Sequence, residues 1–323
     1  MCMGMAHGGK TWEKDMGVKM NNNKRILIFL GITFAITYFI EIAMIAPIVG
    51  STDLNEAMLA QSLVAGVMFV PTISVILTRF LTKEGFVGKD LYFSIDLKKN
   101  LKYYGLVWFG FAFLIIFGSV LYFLIFPKQY DGNMGYAAVV LNAGRETEMS
   151  SQEVRQIMLL QVIMGIVISP FVNIVNCFGE EWGFRGYLLP KLLQRFSVIP
   201  AVLLNGAIWG IWHAPLIVMG HNYGVGYPGF PYVGIFAMCL FCMIIGTILS
   251  YVTIKTNSCV PAILGHGMIN GFASIGIYFT SLENPYNVFL GPAPTGLIGG
   301  AGFIILAAVL LWKLYKEKKN FLK

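Results

Sequence analysis

The chain has 323 residues, of which 57% are hydrophobic and only 12% are charged. A soluble protein carries roughly a quarter charged residues, so this composition excludes an ordinary soluble domain. The formal net charge of +7 also fails to indicate a nucleic-acid partner, because Lys and Arg cluster at the ends of apolar runs, where membrane topology places them. We therefore expect an all-α polytopic membrane protein.

The first 24 residues are polar and contain no apolar core, so they do not form a cleavable signal peptide. We expect a flexible cytoplasmic tail over residues 1–24 and a single transmembrane domain over residues 25–323, whose first span acts as an uncleaved signal anchor. Met20 is an alternative start of translation, because nothing upstream of it has the pattern of a regular element.

Apolar runs of about 20 residues, the length that a helix needs to cross a bilayer, recur along the rest of the chain. They predict about eight spanning helices and show no internal repeat, which disfavours an inverted-repeat transporter. The predicted helices cover approximately residues 26–49, 57–80, 103–126, 155–189, 199–219, 231–254, 259–279 and 296–315.

Charges in the predicted loops alternate along the chain. The 127–154 loop contains more acidic than basic side chains, and the 220–230 loop has no Lys or Arg. An eight-helix count puts every basic loop and both termini in the cytoplasm. We expect an integral multi-pass membrane protein, and as its location a bacterial cell membrane. The basic residues of the other loops and ends are Lys19, Lys24, Arg25, Arg79, Lys83, Lys89, Lys98, Lys99, Lys102, Lys191, Arg195, Lys255, Lys313, Lys316, Lys318 and Lys319.

Local signals define the fourth predicted helix. Ser150 and Glu153 form a capping-box pattern at its start. Pro170 predicts a kink and Pro190 predicts its end, because proline cannot donate the hydrogen bond of a helix interior.

This helix also carries an unusual set of polar side chains. Asn173, Asn176 and Glu180 are spaced three and four apart and share one face. Glu181 points about 100° away from that face and can pair with Arg185 one turn later. Since ionisable groups at membrane depth mark functional sites by default, we expect Glu180 to be free for chemistry and Glu181 to be held in an ion pair.

Two later helices carry matching polar stripes. Asn205, Trp209 and His213 lie at i, i+4 and i+8 of the fifth helix, and His266 and Asn270 lie four apart in the seventh. Taken singly, an intramembrane Glu–Arg pair or a packed histidine is often purely structural. Three polar stripes at compatible depths on three helices predict one shared intramembrane site.

The side chains in this set suit hydrolysis. A carboxylate can take a proton from water and return it to a leaving amine, with a histidine sharing the water. A second histidine and an amide can donate hydrogen bonds to the oxyanion of a tetrahedral intermediate. Alternatively, Glu180, His213 and His266 are adequate zinc ligands with one position open. The residues leave both routes open: no cofactor is favoured, and zinc is possible.

These motifs resemble the CPBP family of intramembrane proteases, which includes the type II CAAX prenyl endopeptidases and the bacterial Abi, bacteriocin-immunity-type proteins. The family usually has Phe where this chain has Trp209. The motifs fall within an expected catalytic core at about residues 155–280. In chain order they are Glu180-Glu181-x-x-x-Arg185, Trp209-x-x-x-His213 and His266-x-x-x-Asn270.

The resemblance implies an eight-helix bundle with a conical cavity that opens to the cytosol. It implies Glu180 as the base that activates water, His213 as its assistant, and His266 and Asn270 as donors to the oxyanion. The implied substrates are membrane-associated peptides or lipidated proteins in the bilayer, either CAAX-type C termini or bacterial peptides and leaders. The oligomeric state stays open. The residues expected to support the catalytic four are Glu181, Arg185, Trp209 and Asn176.

Two rival functions come from other classes. A non-catalytic membrane scaffold, such as a bacteriocin-immunity or regulatory protein, can use the same fold, but it would be expected to lose motif residues. All the polar motif residues are present here, which favours the enzyme. A proton-coupled transporter would also bury Glu, His and Asn, but the missing repeats disfavour it.

Overall fold

The computed structural model describes residues 10–86 and 91–321. Residues 1–9 of the predicted tail and Lys89 lie outside these ranges, so the tail over residues 1–24 stays a prediction. The described chain is helical and contains no strand, only an isolated bridge between Tyr130 and Thr280.

In chain order the helices are α1 (Lys10–Ile40), α2 (Leu54–Val67), α3 (Val70–Leu81), α4 (Leu97–Gly105), α5 (Phe111–Ile125), α6 (Gly135–Asn142), α7 (Ser151–Val167), α8 (Ser169–Val172), α9 (Ile174–Glu181), α10 (Leu189–Arg195), α11 (Val198–Trp212), α12 (Ala214–Val218), α13 (Tyr232–Thr256), α14 (Val260–Phe272) and α15 (Ala301–Phe321). Stretches of π-helix lie at Glu41–Ile45, Leu106–Gly110 and Trp182–Leu188, and 3₁₀ turns at Pro127–Gln129 and Ala273–Phe279.

Within the described ranges, four helical segments are long and apolar enough to cross a membrane. The pair α2 and α3, bent by 41° at its break, makes a fifth if it counts as one span. The chain is therefore an all-helical membrane protein. The four segments are Asn22–Ile45, Leu97–Ile125, Tyr232–Thr256 and Val260–Phe279.

The fourth predicted helix is a series of short pieces from α7 to α10. The capping box predicted at Ser150 and Glu153 is present at its start. The break predicted at Pro170 is also found, because α7 ends at Val167 and Pro170 lies in the first turn of α8. The end predicted at Pro190 is wrong. Pro190 lies in the first turn of α10, directly after the π-helical stretch Trp182–Leu188, and the helix continues to Arg195.

Close helix approach in the bundle depends on glycines, as small residues in membrane helices predict. A Cβ on Gly206 of α11 would lie 2.7 Å from the Cα of Met243 in α13. A Cβ on Gly267 of α14 would lie 2.5 Å from the carbonyl oxygen of Pro170. These contacts bring the backbones of the helices that bear the polar stripes to within touching distance of their neighbours.

One end of the bundle, which we call the basic end, contains Arg25 of α1, Glu84 after α3, and the C-terminal ends of α10, α13 and α15. Glu84 accepts a hydrogen bond from Lys191 at 2.8 Å and lies 3.4 Å from Arg25, and Lys255 pairs with Glu317. The basic side chains at this end are Lys24, Arg25, Arg79, Lys83, Lys98, Lys99, Lys102, Lys191, Arg195, Lys255, Lys313 and Lys316, and its acidic ones are Glu84, Asp96 and Glu317.

The other end, which we call the far end, holds the loops around residues 46–53, 126–150, 219–231 and 280–300. The backbone N–H of Asp131 donates to the carbonyl of Phe279 at 2.9 Å, and the ring of Tyr223 stacks on that of Phe289. The acidic side chains at this end are Asp53, Glu56, Asp131, Glu146, Glu148, Glu153 and Glu283, and its basic ones are Lys128, Arg145 and Arg155.

Candidate active site

The three predicted polar stripes meet at one cavity of about 370 Å³. Its wall includes the four side chains predicted to be catalytic. Glu180 comes from α9, His213 from the junction of α11 and α12, and His266 and Asn270 from α14. Residues that are up to 90 positions apart in sequence therefore face one space, as the shared-site hypothesis requires.

Glu180 is held by the tryptophan of the second motif. Its side chain lies in the cavity wall and is 3% exposed. Oε2 of Glu180 accepts a hydrogen bond of 2.8 Å from Nε1 of Trp209. The hydrogen bond fixes one carboxylate oxygen, and among the described residues the other oxygen, Oε1, has no protein donor, which suits a group that must bind water.

Glu181 points away from the cavity into a fully buried ion pair. Its Oε1 accepts hydrogen bonds from Nη1 of Arg185 at 2.9 Å and pairs with Nδ1 of His266 at 3.0 Å. Both Glu181 and Arg185 are 0% exposed. The ring face of Trp209 lies 4.0 Å from the Arg185 guanidinium, so the cation is neutralised on one side and covered by an aromatic ring on another.

The contacts of His213 define which of its nitrogens carries a proton. Nδ1 lies 2.8 Å from the carbonyl oxygen of Trp209. Because a carbonyl oxygen only accepts, Nδ1 is the donor, and Nε2 of the neutral ring is an acceptor. A buried His213 in this tautomer can orient a water molecule in the cavity.

The amides of the predicted set lie in different surroundings. Asn270 is exposed to the cavity, and its Nδ2 lies 3.7 Å from Sγ of Cys177, a weak contact that leaves the amide free to turn. Asn205 donates to the carbonyl of Phe184 at 2.8 Å and so braces the π-helical stretch. Asn176 is not among the residues that line the cavity, and its supporting role stays a prediction.

Sequence reasoning missed the residues at the outer part of the cavity. His221 lines it together with Asn222 and Thr295. These residues come from irregular loops, which have no periodicity to read. The one signal available in the sequence was that His221 lies shortly after His213 along the chain.

The cavity is polar at its depth and apolar along its sides. Glu180 and His266 are buried at its inner part, whereas His221 and Asn222 are exposed. None of the described residues that line it belongs to the basic end. The mouth of the cavity therefore lies at the far end. The apolar side chains along its walls are Val64, Val67, Met68, Leu216, Met238, Phe241 and Ile269.

The side chains expected to serve if zinc is used are Glu180, His213 and His266. In the part of the chain that the structure describes, no three His, Cys, Asp or Glu side chains are grouped so that they could hold a metal ion. Nδ1 of His213 contacts a carbonyl and Nδ1 of His266 contacts a carboxylate, which leaves Nε2 as the remaining nitrogen of each ring. The use of zinc stays a prediction.

Comparison with known proteins agrees with the motifs. Residues 158–272 match the family described as type II CAAX prenyl endopeptidase Rce1-like. This segment contains every catalytic and supporting residue predicted from the sequence, so the resemblance to this family is confirmed over it.

Two curated proteins are similar to the chain. CAAX prenyl protease 2 of Methanococcus maripaludis is 28% identical over 153 residues, which cover 46% of this chain and 51% of that protein. Lysostaphin resistance protein A of Staphylococcus haemolyticus is 26% identical over 150 residues, which cover 46% of this chain and 38% of that protein. The chain thus spans about half, or less, of the length of the curated relatives it matches.

Proposed function

We propose that this chain, whose residues 158–272 match the type II CAAX prenyl endopeptidases, is an intramembrane endopeptidase that cleaves membrane-associated polypeptides. One observation carries the proposal. The carboxylate of Glu180 lies in the wall of a cavity that His213, His266 and Asn270 also line, and a hydrogen bond from Trp209 holds it in place.

In the proposed reaction, Glu180 takes a proton from a water molecule in the cavity, and Nε2 of His213 accepts a hydrogen bond from the same water. The water oxygen attacks the carbonyl carbon of the substrate. The negative charge that develops on the carbonyl oxygen is stabilised by the Asn270 amide and by His266. Because Nδ1–H of His266 is directed to Glu181, Nε2 donates to the oxyanion in the protonated form of the ring. Glu180 then returns its proton to the leaving amine as the C–N bond breaks.

Glu181, Arg185 and Trp209 act through these groups and not on the substrate. Glu181 orients the His266 ring through Nδ1, so that Nε2 is directed away from the ion pair. Arg185 neutralises Glu181, and Trp209 connects Glu180 to the backbone contact of His213. Water activation by these side chains needs no zinc ion.

We also propose that the bundle crosses the membrane eight times. Four crossings are the long apolar segments, and one is α15. The other three are broken helices, namely α2 with α3, the series from α7 to α10, and α11 with α12. The excess of Lys and Arg at the basic end supports a cytoplasmic location for that end and for both termini.

The residues of the site define the type of reaction more closely than they define the class of substrate. One relative is named a CAAX prenyl protease and the other a lysostaphin resistance protein. A lipidated C terminus and a bacterial membrane peptide are therefore both candidate substrates, and each would reach the site from the bilayer.

The proposal is tested with the purified protein in liposomes and a panel of quenched peptides, prenylated and unmodified. Glu180→Gln should abolish cleavage while the protein stays folded, and Glu283→Gln at an exposed far-end loop should leave cleavage unchanged. Cleavage that survives a chelator supports the glutamate route. Full activity of Glu180→Gln, or loss of activity on chelation with recovery on adding zinc, contradicts the proposed mechanism. A folded protein that cuts no peptide of the panel contradicts the assigned substrate class and favours the scaffold.

A further inference from the structure

The inner part of the cavity is closed toward the basic end. Below Glu180, the Glu181–Arg185 pair and the rings of Phe184 and Tyr187 are buried and fill the space between helices. Tyr187 then donates a hydrogen bond to Glu84, which Lys191 also contacts. Packed aromatic rings and a polar network therefore lie between Glu180 and the basic end.

The cavity is open toward the far end. Its wall there is made by the exposed residues His221 and Asn222 of the loop after α12, and by Thr295. Tyr223 holds the loop in place, since its ring stacks on Phe289 with a centroid distance of 5.2 Å. When His221 is neutral, the rim carries no charge, so it offers hydrogen bonds to a ligand but no ionic partner.

Charge assigns the two ends to the two sides of the membrane. Basic side chains greatly outnumber acidic ones at the basic end, and acidic side chains outnumber basic ones at the far end. Short cytoplasmic loops carry the excess of Lys and Arg in membrane proteins. Two of our expectations therefore exclude each other, because a cavity that opens at the far end cannot open to the cytosol while the basic loops lie there.

We infer that the cavity opens on the extracytoplasmic face, and that its substrate is a segment of a membrane-anchored polypeptide on that side of the membrane. The substrate assignment rests on the proposed function, whereas the direction of opening rests only on the cavity and the charges. A prenylated C terminus at the cytoplasmic surface would face the closed end.

The dimensions of the mouth and its lining limit the segment that fits. α12, which lies between His213 and the rim, has five residues and is roughly 8 Å long at 1.5 Å per residue. An extended peptide advances about 3.3 Å per residue, so two or three residues span the depth of α12. Apolar walls formed by Leu216, Met238 and Phe241 favour apolar side chains beside the bond that is cut.

The direction of opening is tested by cysteine labelling with a membrane-impermeant maleimide in intact cells. Asn222→Cys and Lys98→Cys are made in a background without the native cysteines, and both positions are exposed. We expect Asn222→Cys to react in intact cells and Lys98→Cys to react only after permeabilisation. The reverse pattern overturns the inference. Epitope tags in the 219–231 and 82–96 loops give the same reading with the native cysteines present, should the cysteine-free chain fail to fold.

The substrate side is tested with an anchored reporter that presents an apolar segment outside the membrane, and with the same reporter inverted. We expect Glu180-dependent cleavage of the first at a rate at least tenfold that of the second. Preference for the inverted reporter overturns the inference while leaving the peptidase intact. If labelling follows the expected pattern but neither reporter is cut, the direction of opening stands and the proposed function fails.

Discussion

The indole N–H of Trp209 donates a hydrogen bond of 2.8 Å to Oε2 of Glu180. The family that the motifs resemble usually has Phe at this position, and Phe would preserve an aromatic wall without a donor. The same Trp209 ring covers Arg185 at 4.0 Å, and its backbone carbonyl accepts from His213. A residue that looked like a conservative departure therefore connects the carboxylate, the buried cation and the histidine.

Trp209→Phe should lower the rate of catalysis without weakening the binding of substrate. A hydrogen bond to a charged group contributes about 1.5–3 kcal/mol, and each 1.36 kcal/mol is tenfold in rate, so kcat should fall by roughly 10- to 100-fold. KM should stay near its original value, because Trp209 positions Glu180 and the substrate is held elsewhere. Steady-state peptide cleavage measures both constants.

Trp108→Phe is the matched control for this variant. Its indole also loses a hydrogen bond, of 2.7 Å to the carbonyl oxygen of Ile166, but Trp108 is not among the residues that line the cavity. We expect similar losses of thermal stability in both variants and a loss of kcat only in Trp209→Phe. Equal kcat in the two proteins would mean that the Trp209 contact is structural alone.

Arg185→Ala should reduce the yield of folded protein more than a substitution that breaks an ion pair at the surface. It leaves Glu181, which is 0% exposed, as a buried charge whose remaining partner is His266, and breaking a buried pair costs about 3–5 kcal/mol. Lys255→Ala breaks a partly exposed pair with Glu317 and should cost at most about 1 kcal/mol. Thermal unfolding in detergent compares the two.

The double variant Glu181→Gln/Arg185→Ala removes both charges and should regain much of the stability lost in Arg185→Ala. If Arg185→Ala unfolds at the temperature of the unsubstituted protein, the ion pair does not stabilise the fold.

The parts of the fold and site that follow from the sequence are those that depend on a regular spacing of residues along one helix. Apolar runs give the membrane helices, and spacings of three and four residues place Glu180 and Glu181 on different faces, as the structure confirms. The capping box at Ser150 needed only two residues at the correct spacing. These features depend on local geometry, which a single helix fixes by itself.

The parts that escaped prediction depend on contacts between distant segments. The break between α2 and α3, and the continuation of the helix past Pro190, follow from packing and π-helical turns that no local pattern reports. His221 reaches the cavity because its loop is anchored on Phe289, more than sixty residues away. Glu41 is buried, and neither of its carboxylate oxygens has a hydrogen-bond partner within the described chain.

Gly206→Ala should destabilise the bundle and disturb the site through α11. The added Cβ would lie 2.7 Å from the Cα of Met243 and 2.9 Å from the carbonyl oxygen of Cys242. Neither is the end of a flexible side chain, so α11 and α13 must separate. Overpacking of this kind costs about 1–3 kcal/mol, and the shift should also lower peptide cleavage, since Trp209 is on the same helix. Thermal unfolding and kcat are measured together.

Gly31→Ala is the control for added helix propensity. Gly31 lies inside α1, and its Cβ would meet no atom within 4 Å. Alanine is favoured over glycine in a helix by about 0.8–1.0 kcal/mol, so this variant should be as stable as the original protein or more so. A stable, fully active Gly206→Ala would show that the α11–α13 contact is looser than described.

The network at the basic end should make stability depend on acidic pH. Burial by itself raises the pKa of Glu84, but hydrogen bonds from Lys191 and Tyr187 outweigh it and hold the pKa of this carboxyl below its usual value. The unfolded chain binds the proton with a pKa of about 4.3. A lowered native pKa therefore contributes stability that is complete above about pH 4.3 and is lost as the pH falls through the native value.

Unfolding temperatures measured from pH 7 down to pH 3 should show this loss, and Glu84→Gln should flatten the acidic part of the curve while lowering stability at pH 7. Glu283→Gln, at an exposed position of the far end, should leave the shape of the curve unchanged. Because protonation of Glu84 releases Lys191 and Arg25 from their shared partner, the basic end should loosen before the rest of the bundle. Hydrogen exchange that increases first at the far end, with an unchanged curve in Glu84→Gln, would assign the acid sensitivity to other carboxyl groups.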